Sequence, residues 1–320
     1  MKVLVTGSAG FIGFHVAQSL LKDGHEVVGL DNFNDYYAVQ LKRDRNALLE
    51  KHKGYTGNAG DICDYPKLQE LFRKQLFDRV CHLAAQPGVR YSITHPFVYQ
   101  KFNSDGFLNV LEACRHHKIS RLVYASSSSV YGGNRRLPFR ETDSVDAPIS
   151  LYAATKKSNE LMAHVYSHLY GIQAIGLRLF TVYGPWYRPD MAMWLFTEAI
   201  LRGKPIQVFN RGDQRRDFTY IDDIVGGICK ALFADGLERY DVFNLGNHRA
   251  ENLMDMINIL AEALGVKPVM ELLPMQPGDV METYADITKA QQQLKFHPHT
   301  ALAEGIPEFV AWYRQYHGLK

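Results

Sequence analysis

Short apolar, β-branched runs alternate with stretches whose apolar residues recur at helical spacing through roughly the first 180 residues. Val3–Val5, Glu26–Leu30, Arg79–Leu83, Leu122–Ala125 and Ala174–Arg178 predict buried strands. Phe11–Lys22, Pro66–Gln75, Ser104–His117 and Tyr152–Tyr170 predict helices. Alternation of this kind, closed by right-handed crossovers, predicts a Rossmann-type, doubly wound parallel sheet of the α/β class. The charged stretch from Asn32 to Lys53 predicts a surface helix over Val39–Glu50. After Arg178 the rhythm changes. Pro185, Pro189 and Pro205 punctuate helices expected near Met191–Leu201, Ile221–Phe233, Leu253–Leu264 and Ala301–Tyr316, with short strands at Ile206–Phe209 and Val242–Leu245. The expected organisation is a nucleotide-binding unit over 1–178 and a smaller α/β lobe over 179–320, some of whose strands return to the main sheet.

Composition narrows the class without naming a reaction. The 320 residues are 46% hydrophobic and 22% charged, with a formal net charge of +2. These values suit a globular protein and give no sign of a nucleic-acid or anionic-membrane partner. No apolar run approaches the roughly 18 residues of a membrane span. The start, Met1-Lys2-Val3-Leu4-Val5-Thr6-Gly7, reaches a glycine turn too soon for a signal peptide. Cys63, Cys81, Cys114 and Cys229 form no Cys-x-x-Cys pair, so buried free thiols in a cytoplasmic protein are expected, with no metal site.

Gly7-Ser8-Ala9-Gly10-Phe11-Ile12-Gly13 lies between the first predicted strand and the first helix. Glycines there allow a tight turn, close approach of backbone to a pyrophosphate, and close helix–strand packing; the helix N-terminus offers free N–H groups to phosphate. Three glycines at this spacing arise by chance about 0.15 times in such a composition, so position matters more than spacing. Asp31, ending the second strand, can accept the adenosine ribose hydroxyls and would repel a 2′-phosphate. This favours NAD over NADP.

Tyr152-Ala153-Ala154-Thr155-Lys156 sets a phenol and an ammonium four residues apart on one helix face. Chance predicts about one such pair, and a second, Tyr316–Lys320, is the decoy. Tyr152 differs in following Ser126-Ser127-Ser128-Ser129 at the end of the fifth predicted strand, the edge where open α/β sheets bind ligands. An ammonium at roughly 4 Å lowers a phenol pKa of about 10 by about three units, so Lys156, helped by the nicotinium charge, would bring Tyr152 near neutrality as a general base. Ser127 would orient a substrate oxygen.

With these residues the chain resembles the extended short-chain dehydrogenase/reductase family, in its nucleotide-sugar branch of epimerases, dehydratases and decarboxylases. The resemblance implies that NAD is held by Gly7, Gly10, Phe11, Ile12, Gly13, Asp31, Asn32, Asn34, Asp61, Ile62, Leu83, Ala84, Ala85 and Asn103, with Tyr152 and Lys156. Ser126 to Gly132 has the epimerase form: Ser129 stands where dehydratases and decarboxylases of the branch carry an acid. Asp31 to Tyr37, Gly88 to Ser92, Phe180 to Met191 and Arg216 to Asp223 resemble the UDP-glucuronate 4-epimerases. A uronate carboxylate suits a guanidinium fork, and family position makes Arg188 the candidate, with Thr181 assisting. The resemblance further assigns Ser127, Ser128 and Tyr152 to the sugar, Arg216 to the pyrophosphate, Phe209 to the uracil and Asp279 to the uridine ribose, with Arg90 ranked lower. Tyr187 and Pro87 depart from the Gly and Ala common at their positions.

The expected reaction is reversible C4 epimerisation of UDP-glucuronate to UDP-galacturonate through a 4-keto sugar, with NAD retained. UDP-glucose 4-epimerase and UDP-glucuronate decarboxylase are the nearest alternatives. A non-catalytic NAD-binding scaffold is the alternative of another class, and the presence of both Tyr152 and Lys156 weighs against it. Relatives dimerise through the helices at Ser104–His117 and Tyr152–Tyr170, so a homodimer is expected.

Overall fold

The computed structural model describes residues 1–275 and 280–319. Its centre is a parallel sheet of β1 (Lys2–Thr6), β2 (Glu26–Asp31), β3 (Tyr55–Ala59), β4 (Arg79–His82), β5 (Arg121–Ser127), β6 (Gln173–Leu179) and a last strand, Tyr240–Leu245. The spatial order is β3-β2-β1-β4-β5-β6 followed by Tyr240–Leu245, the doubly wound arrangement expected from the strand–helix alternation. Strand order reverses between β1 and β4. Thr6 is in register with Leu30 on β2 and His82 on β4, so the carboxyl ends of these strands open together into one crevice.

The helices of the N-terminal half are α1 (Phe11–Lys22), α2 (Val39–Leu49), α3 (Tyr65–Gln75), α4 (Tyr91–Thr94), α5 (Pro96–Tyr99), α6 (Gly106–His116) and α7 (Leu151–Tyr170). Strand periodicity assigns them to layers. Val3, Val5, Cys81, Val123 and Ile175 face a core shared with Phe14 and Leu20 of α1 and Ile224 and Ile228 of the helix Ile221–Phe233. Leu4, Val28, Val80 and Leu122 face the opposite core, filled by Phe72 of α3, Phe107 and Leu111 of α6, and Ala163 of α7. Local signals set the ends of α7: Ser150 Oγ accepts from the Ala153 N–H at 3.1 Å, and Gly171 leaves the helix with φ of +74°.

Beyond β6 the chain lays small sheets over the carboxyl edge. Thr181–Tyr183 pairs with Phe218–Tyr220, Ile206–Val208 with Met270–Leu272, and Arg215–Arg216 with both Glu251–Asn252 and Glu282–Thr283. The helices Ala192–Leu201, Leu253–Leu264 and Leu302–His317 support them. Among the described residues, no helix is long and apolar enough to cross a membrane, and no cluster of His, Cys, Asp or Glu could hold a metal ion.

Two elements differ from the sequence reading. The pattern does not predict β3, because Tyr-Thr-Gly-Asn-Ala has no apolar run; as an edge strand bonded only to β2, it needs none. The expected surface helix α2 is partly interior, with Leu41, Lys42, Arg45 and Leu49 buried. Arg45 has 0% exposure because four oxygen acceptors surround its guanidinium.

Candidate active site

The carboxyl ends of β1, β2, β5 and β6 and the loops above them enclose a cleft of about 500 Å³. Its lower wall begins where β1 turns into α1. Gly7 has φ of +72°, and a Cβ there would lie 2.8 Å from the Ala84 nitrogen. A Cβ on Gly13 would lie 2.0 Å from the Gly7 carbonyl oxygen, so only glycine allows α1 to start this close to β1. Gly10 caps α1 without a side-chain hydrogen bond, and the first turn holds no acidic residue. The N–H groups and the positive dipole end therefore remain available to an anion. Gly7, Gly10, Phe11, Ile12 and Gly13 all line the cleft.

Asp31 is held at the end of β2 by its own acceptances: Oδ2 takes the Ala9 N–H at 3.0 Å and Oδ1 the Phe33 N–H at 2.9 Å. Asn32, Asn34, Ile62, Leu83, Ala84 and Ala85 continue this wall. The glycine turn with the uncapped N–H groups at the start of α1, together with a fixed carboxylate one strand away, fits a dinucleotide pyrophosphate and ribose. Two expected cofactor residues stand behind the wall. Asp61 accepts from the Cys63 N–H at 2.8 Å and from Asn32 Nδ2 at 3.3 Å, so it orients Asn32. Asn103 is buried; it accepts from the Gln86 N–H at 2.7 Å and donates to Gln86 O at 3.0 Å and Thr155 Oγ1 at 3.2 Å. Its side chain braces the segment after β4 against α7.

Tyr152, in the first turn of α7, and Ser127, at the end of β5, meet across the cleft beside Lys156. Burial raises the Tyr152 phenol, while the Ser127 hydrogen bond and the Arg188 charge act the other way. Burial lowers Lys156 to about 8, and its ammonium donates to Ala125 O at 2.9 Å. Lys156 is thereby anchored to β5 one helical turn from Tyr152, while Ser127 and Arg188 oppose the cost of burial at the phenol. Ser127 Oγ also accepts from the Ser129 N–H at 3.2 Å, while Ser128 and Ser129 line the cleft.

A buried ion pair beneath the serines escapes the sequence reading. Arg178 Nε and Nη2 donate to Glu160 Oε1 and Oε2, each at 2.9 Å, and Ser126 Oγ donates to Glu160 Oε1 at 2.6 Å. Arg178 Nη1 also donates to the Tyr131 hydroxyl at 3.0 Å. A signal for it exists: Tyr152, Lys156 and Glu160 follow at i, i+4 and i+8 on one face of α7.

On the opposite wall Thr181, Arg188 and Arg216 face the cleft. Arg188 Nε donates to Asp190 Oδ1 at 3.0 Å and Nη2 to Oδ2 at 2.5 Å, while the Tyr36 hydroxyl donates to the same Oδ2 at 3.1 Å. Burial opposes the Asp190 charge, but Arg188 outweighs it and holds the carboxyl below its ordinary range. Asp190 thus occupies the side edge of the guanidinium, and Nη1 makes no hydrogen bond to the described residues. Arg216 Nη1 donates to Met281 O at 3.1 Å and Nη2 to Gln214 Oε1 at 3.2 Å, at the boundary with an annex of about 170 Å³. Arg90 and Phe209, taken separately from the sequence, form one unit: the guanidinium lies 4.7 Å from the ring centre. Neither belongs to the cleft wall. Tyr187 is buried edge-on between Phe11 and Phe309, with ring centres 5.1 and 6.0 Å apart, and Pro87 lines the cleft. Asp279 lies outside the described residues.

The family model for the NAD dependent epimerase/dehydratase family matches residues 3–246, from β1 through the last strand of the sheet. The chain belongs to that family. As an epimerase/dehydratase homologue it is 49% identical to UDP-glucuronate 4-epimerase 4 of Arabidopsis thaliana, over 98% of this chain and 76% of the plant protein. The crystal structure of UDP-glucuronic acid 4-epimerase from Bacillus cereus, in complex with UDP-glucuronic acid and NAD, superposes with a TM-score of 0.92 at 37% identity. That match covers 99% of this chain and 100% of the other. UDP-glucose 4-epimerase from Thermotoga maritima, with UDP-glucose, gives a TM-score of 0.88 at 31% identity over 99% and 100% of the two chains.

Proposed function

We propose that the chain is an NAD-dependent UDP-glucuronate 4-epimerase, interconverting UDP-glucuronate and UDP-galacturonate. The observation that carries the reading is Arg188, a cation on the wall of the cleft that holds Tyr152 and Ser127, close enough for its charge to act on the phenol. Asp190 takes one edge of the guanidinium, and the Nη1 it leaves can donate to a carboxylate, which a uronate has and a neutral hexose lacks. The 49% identity to a plant UDP-glucuronate 4-epimerase supports the same choice over UDP-glucose.

Gly7, Gly10, Gly13 and the N–H groups of α1 would hold the dinucleotide pyrophosphate, and Asp31 and Asn32 the adenosine ribose. When bound there, NAD would supply hydride acceptance and return at C4. Tyr152 takes the C4 hydroxyl proton and gives it back after the sugar has presented its other face. Ser127 hydrogen-bonds the C4 oxygen and keeps it in line with the phenol. Lys156 and the N-terminal dipole of α7 favour the tyrosinate. Ser129 offers no carboxylate at the position where an acid would assist elimination of water or handling of a sugar carbanion, which leaves hydride and proton transfer at C4 as the chemistry. Arg188 and Thr181 hold the C5 carboxylate near the ketone plane, the geometry that disfavours loss of CO₂ from a β-keto acid. Arg216 faces the diphosphate, and the Arg90–Phe209 stack borders the uracil end. Residues 1–178 serve mainly the cofactor and 179–320 mainly the nucleotide sugar, although Tyr240–Leu245 completes the main sheet.

A homodimer belongs to the proposal. Leu161, Val165 and Leu169 form an exposed stripe at i, i+4 and i+8 on α7, and Leu108 of α6 is exposed as well. A cytoplasmic setting also belongs to it, supported by four free cysteine thiols. Incubating the protein with UDP-glucuronate and no added NAD, and reading the products by proton NMR, tests the function. UDP-galacturonate is expected; UDP-pentose with CO₂ release, or turnover of UDP-glucose alone, would replace the reading.

A further inference from the structure

The loop Pro185–Asp190, which presents Arg188, is tied to the cofactor half at four of its six residues. The His15 ring of α1 bonds to Pro185 O at 3.0 Å, and the Tyr36 hydroxyl donates to Asp190. Between these ties stands Arg45 of α2. Its Nη2 donates to Trp186 O at 2.6 Å and Tyr187 O at 3.3 Å. Its Nη1 donates to Tyr37 OH at 2.9 Å and to Ala9 O at 3.0 Å, inside the glycine turn.

We propose that Arg45 is a positioning residue that locks the Arg188 loop to the phosphate-binding turn, so that recognition of the sugar carboxylate depends on the cofactor cradle. Three observations point this way. Arg45 is wholly buried, its acceptors are neutral oxygens, and its Nε has no partner among the described residues. A buried guanidinium without a carboxylate is poor stabilisation, because desolvation is offset only by dipoles. What the residue does supply is geometry, since a planar fork with donors on two edges fixes two backbone segments relative to one another. The segments it joins are the ones that matter. Ala9, whose carbonyl Arg45 holds, has its N–H on Asp31 at 3.0 Å. Trp186 has φ of +60°, a conformation unfavourable for a residue with a side chain, and turns its carbonyl inward to Arg45 two residues before Arg188 enters the cleft. The contacts close a ring: Asp31, Ala9, Arg45, the Trp186–Tyr187 carbonyls, Arg188, Asp190 and Tyr36, which lies five residues after Asp31.

The inference rests on the reading of Arg188 as the carboxylate-binding group, and the two can fail separately. Calorimetric Kd values for UDP-glucuronate, UDP-glucose and UDP are measured on NAD-loaded protein in a Tyr152→Phe background, which stops turnover. If that protein binds UDP-glucuronate no tighter than UDP-glucose, the reading of Arg188 fails whatever Arg45 does. If it discriminates, adding Arg45→Met should reduce the preference by about tenfold while UDP affinity stays within about threefold. Arg45→Lys, which keeps the charge without the fork, should fall between the two and is the variant measured if the Met form does not fold. Unchanged discrimination in the folded variant, or equal weakening of all three ligands, would overturn the proposal; a merely structural Arg45 predicts the latter.

Discussion

The pair formed by Glu160 and Arg178 is bonded to Ser126 at the end of β5, and its removal has a calculable cost. The side chains are 3% and 4% exposed and share two parallel hydrogen bonds, with Ser126 as a third partner of the carboxylate. Glu160→Gln keeps the shape but removes the charge and one of the two matched acceptors, leaving Arg178 buried beside neutral groups. Breaking a buried pair from one side costs about 3–5 kcal/mol, a large part of a typical total of about 5–15 kcal/mol. With a urea m-value of about 3 kcal/mol/M, the midpoint should fall by roughly 1–1.7 M. Removing both partners is a different perturbation. Glu160→Met with Arg178→Met takes the acceptor from the Ser126 hydroxyl and one donor each from the Glu141 carbonyl and the Tyr131 hydroxyl, which keeps its bond to Asn244; at about 1 kcal/mol each at most, the double variant should be more stable than Glu160→Gln. Equilibrium urea unfolding of wild type, Glu160→Met, Arg178→Met and the double variant provides the cycle, with Glu160→Gln measured beside it. Because Ser126 precedes Ser127, Glu160→Gln should also lower kcat while bound NAD is retained. A Glu160→Gln protein within about 1 kcal/mol of wild type, or a double variant losing the sum of the singles, would refute the reasoning.

Tyr152→Phe should reduce kcat by about 10² to 10⁴, the range for a lost general base, with UDP-glucuronate still binding in calorimetry. Gly13→Ala places a methyl group 2.0 Å from the Gly7 carbonyl oxygen, and the purified protein should carry far less NAD by absorbance after denaturation than wild type. Burial lowers His15 to about 4, against the partial opposition of its bond to the Pro185 carbonyl. The folded protein therefore keeps His15 neutral where the unfolded chain protonates it. Its contribution is full above about pH 6.5 and is lost as the pH falls from there toward about 4, at most about 3 kcal/mol. His15→Asn should flatten the slope of unfolding free energy between about pH 7 and 5, and an identical slope would exclude His15 as a source. Charging the α7 stripe on either side of Val165, as Leu161→Lys with Leu169→Lys, should give a monomer by sedimentation at micromolar concentration if that face carries the dimer.

The parts of the site legible in the sequence are those whose chemistry is local. The Gly7 to Gly13 turn, Asp31 at a strand end and the Tyr152–Lys156 spacing each place their groups within one strand–turn–helix unit, so local pattern is enough to locate them. What stays hidden depends on distant pairing. Arg45 reads as one more charge on a polar helix, because its acceptors, Ala9 and Trp186, lie 36 and 141 residues away. Arg188 reads as an unencumbered cation although Asp190 stands two residues on, because proximity in sequence does not reveal which edge of a guanidinium is taken. Arg90 and Phe209 draw separate assignments since nothing in either segment marks their stacking. β3 illustrates the same limit for the fold: an edge strand of polar residues is made by its neighbour rather than by its own pattern.

The claim that C4 is oxidised and then reduced by the same retained cofactor is tested most directly with UDP-glucuronate deuterated at C4. After incubation without added NAD, the UDP-galacturonate formed should keep its deuterium at C4, as read by NMR and mass spectrometry. Loss of the label to solvent, or its appearance at another carbon, would contradict the account.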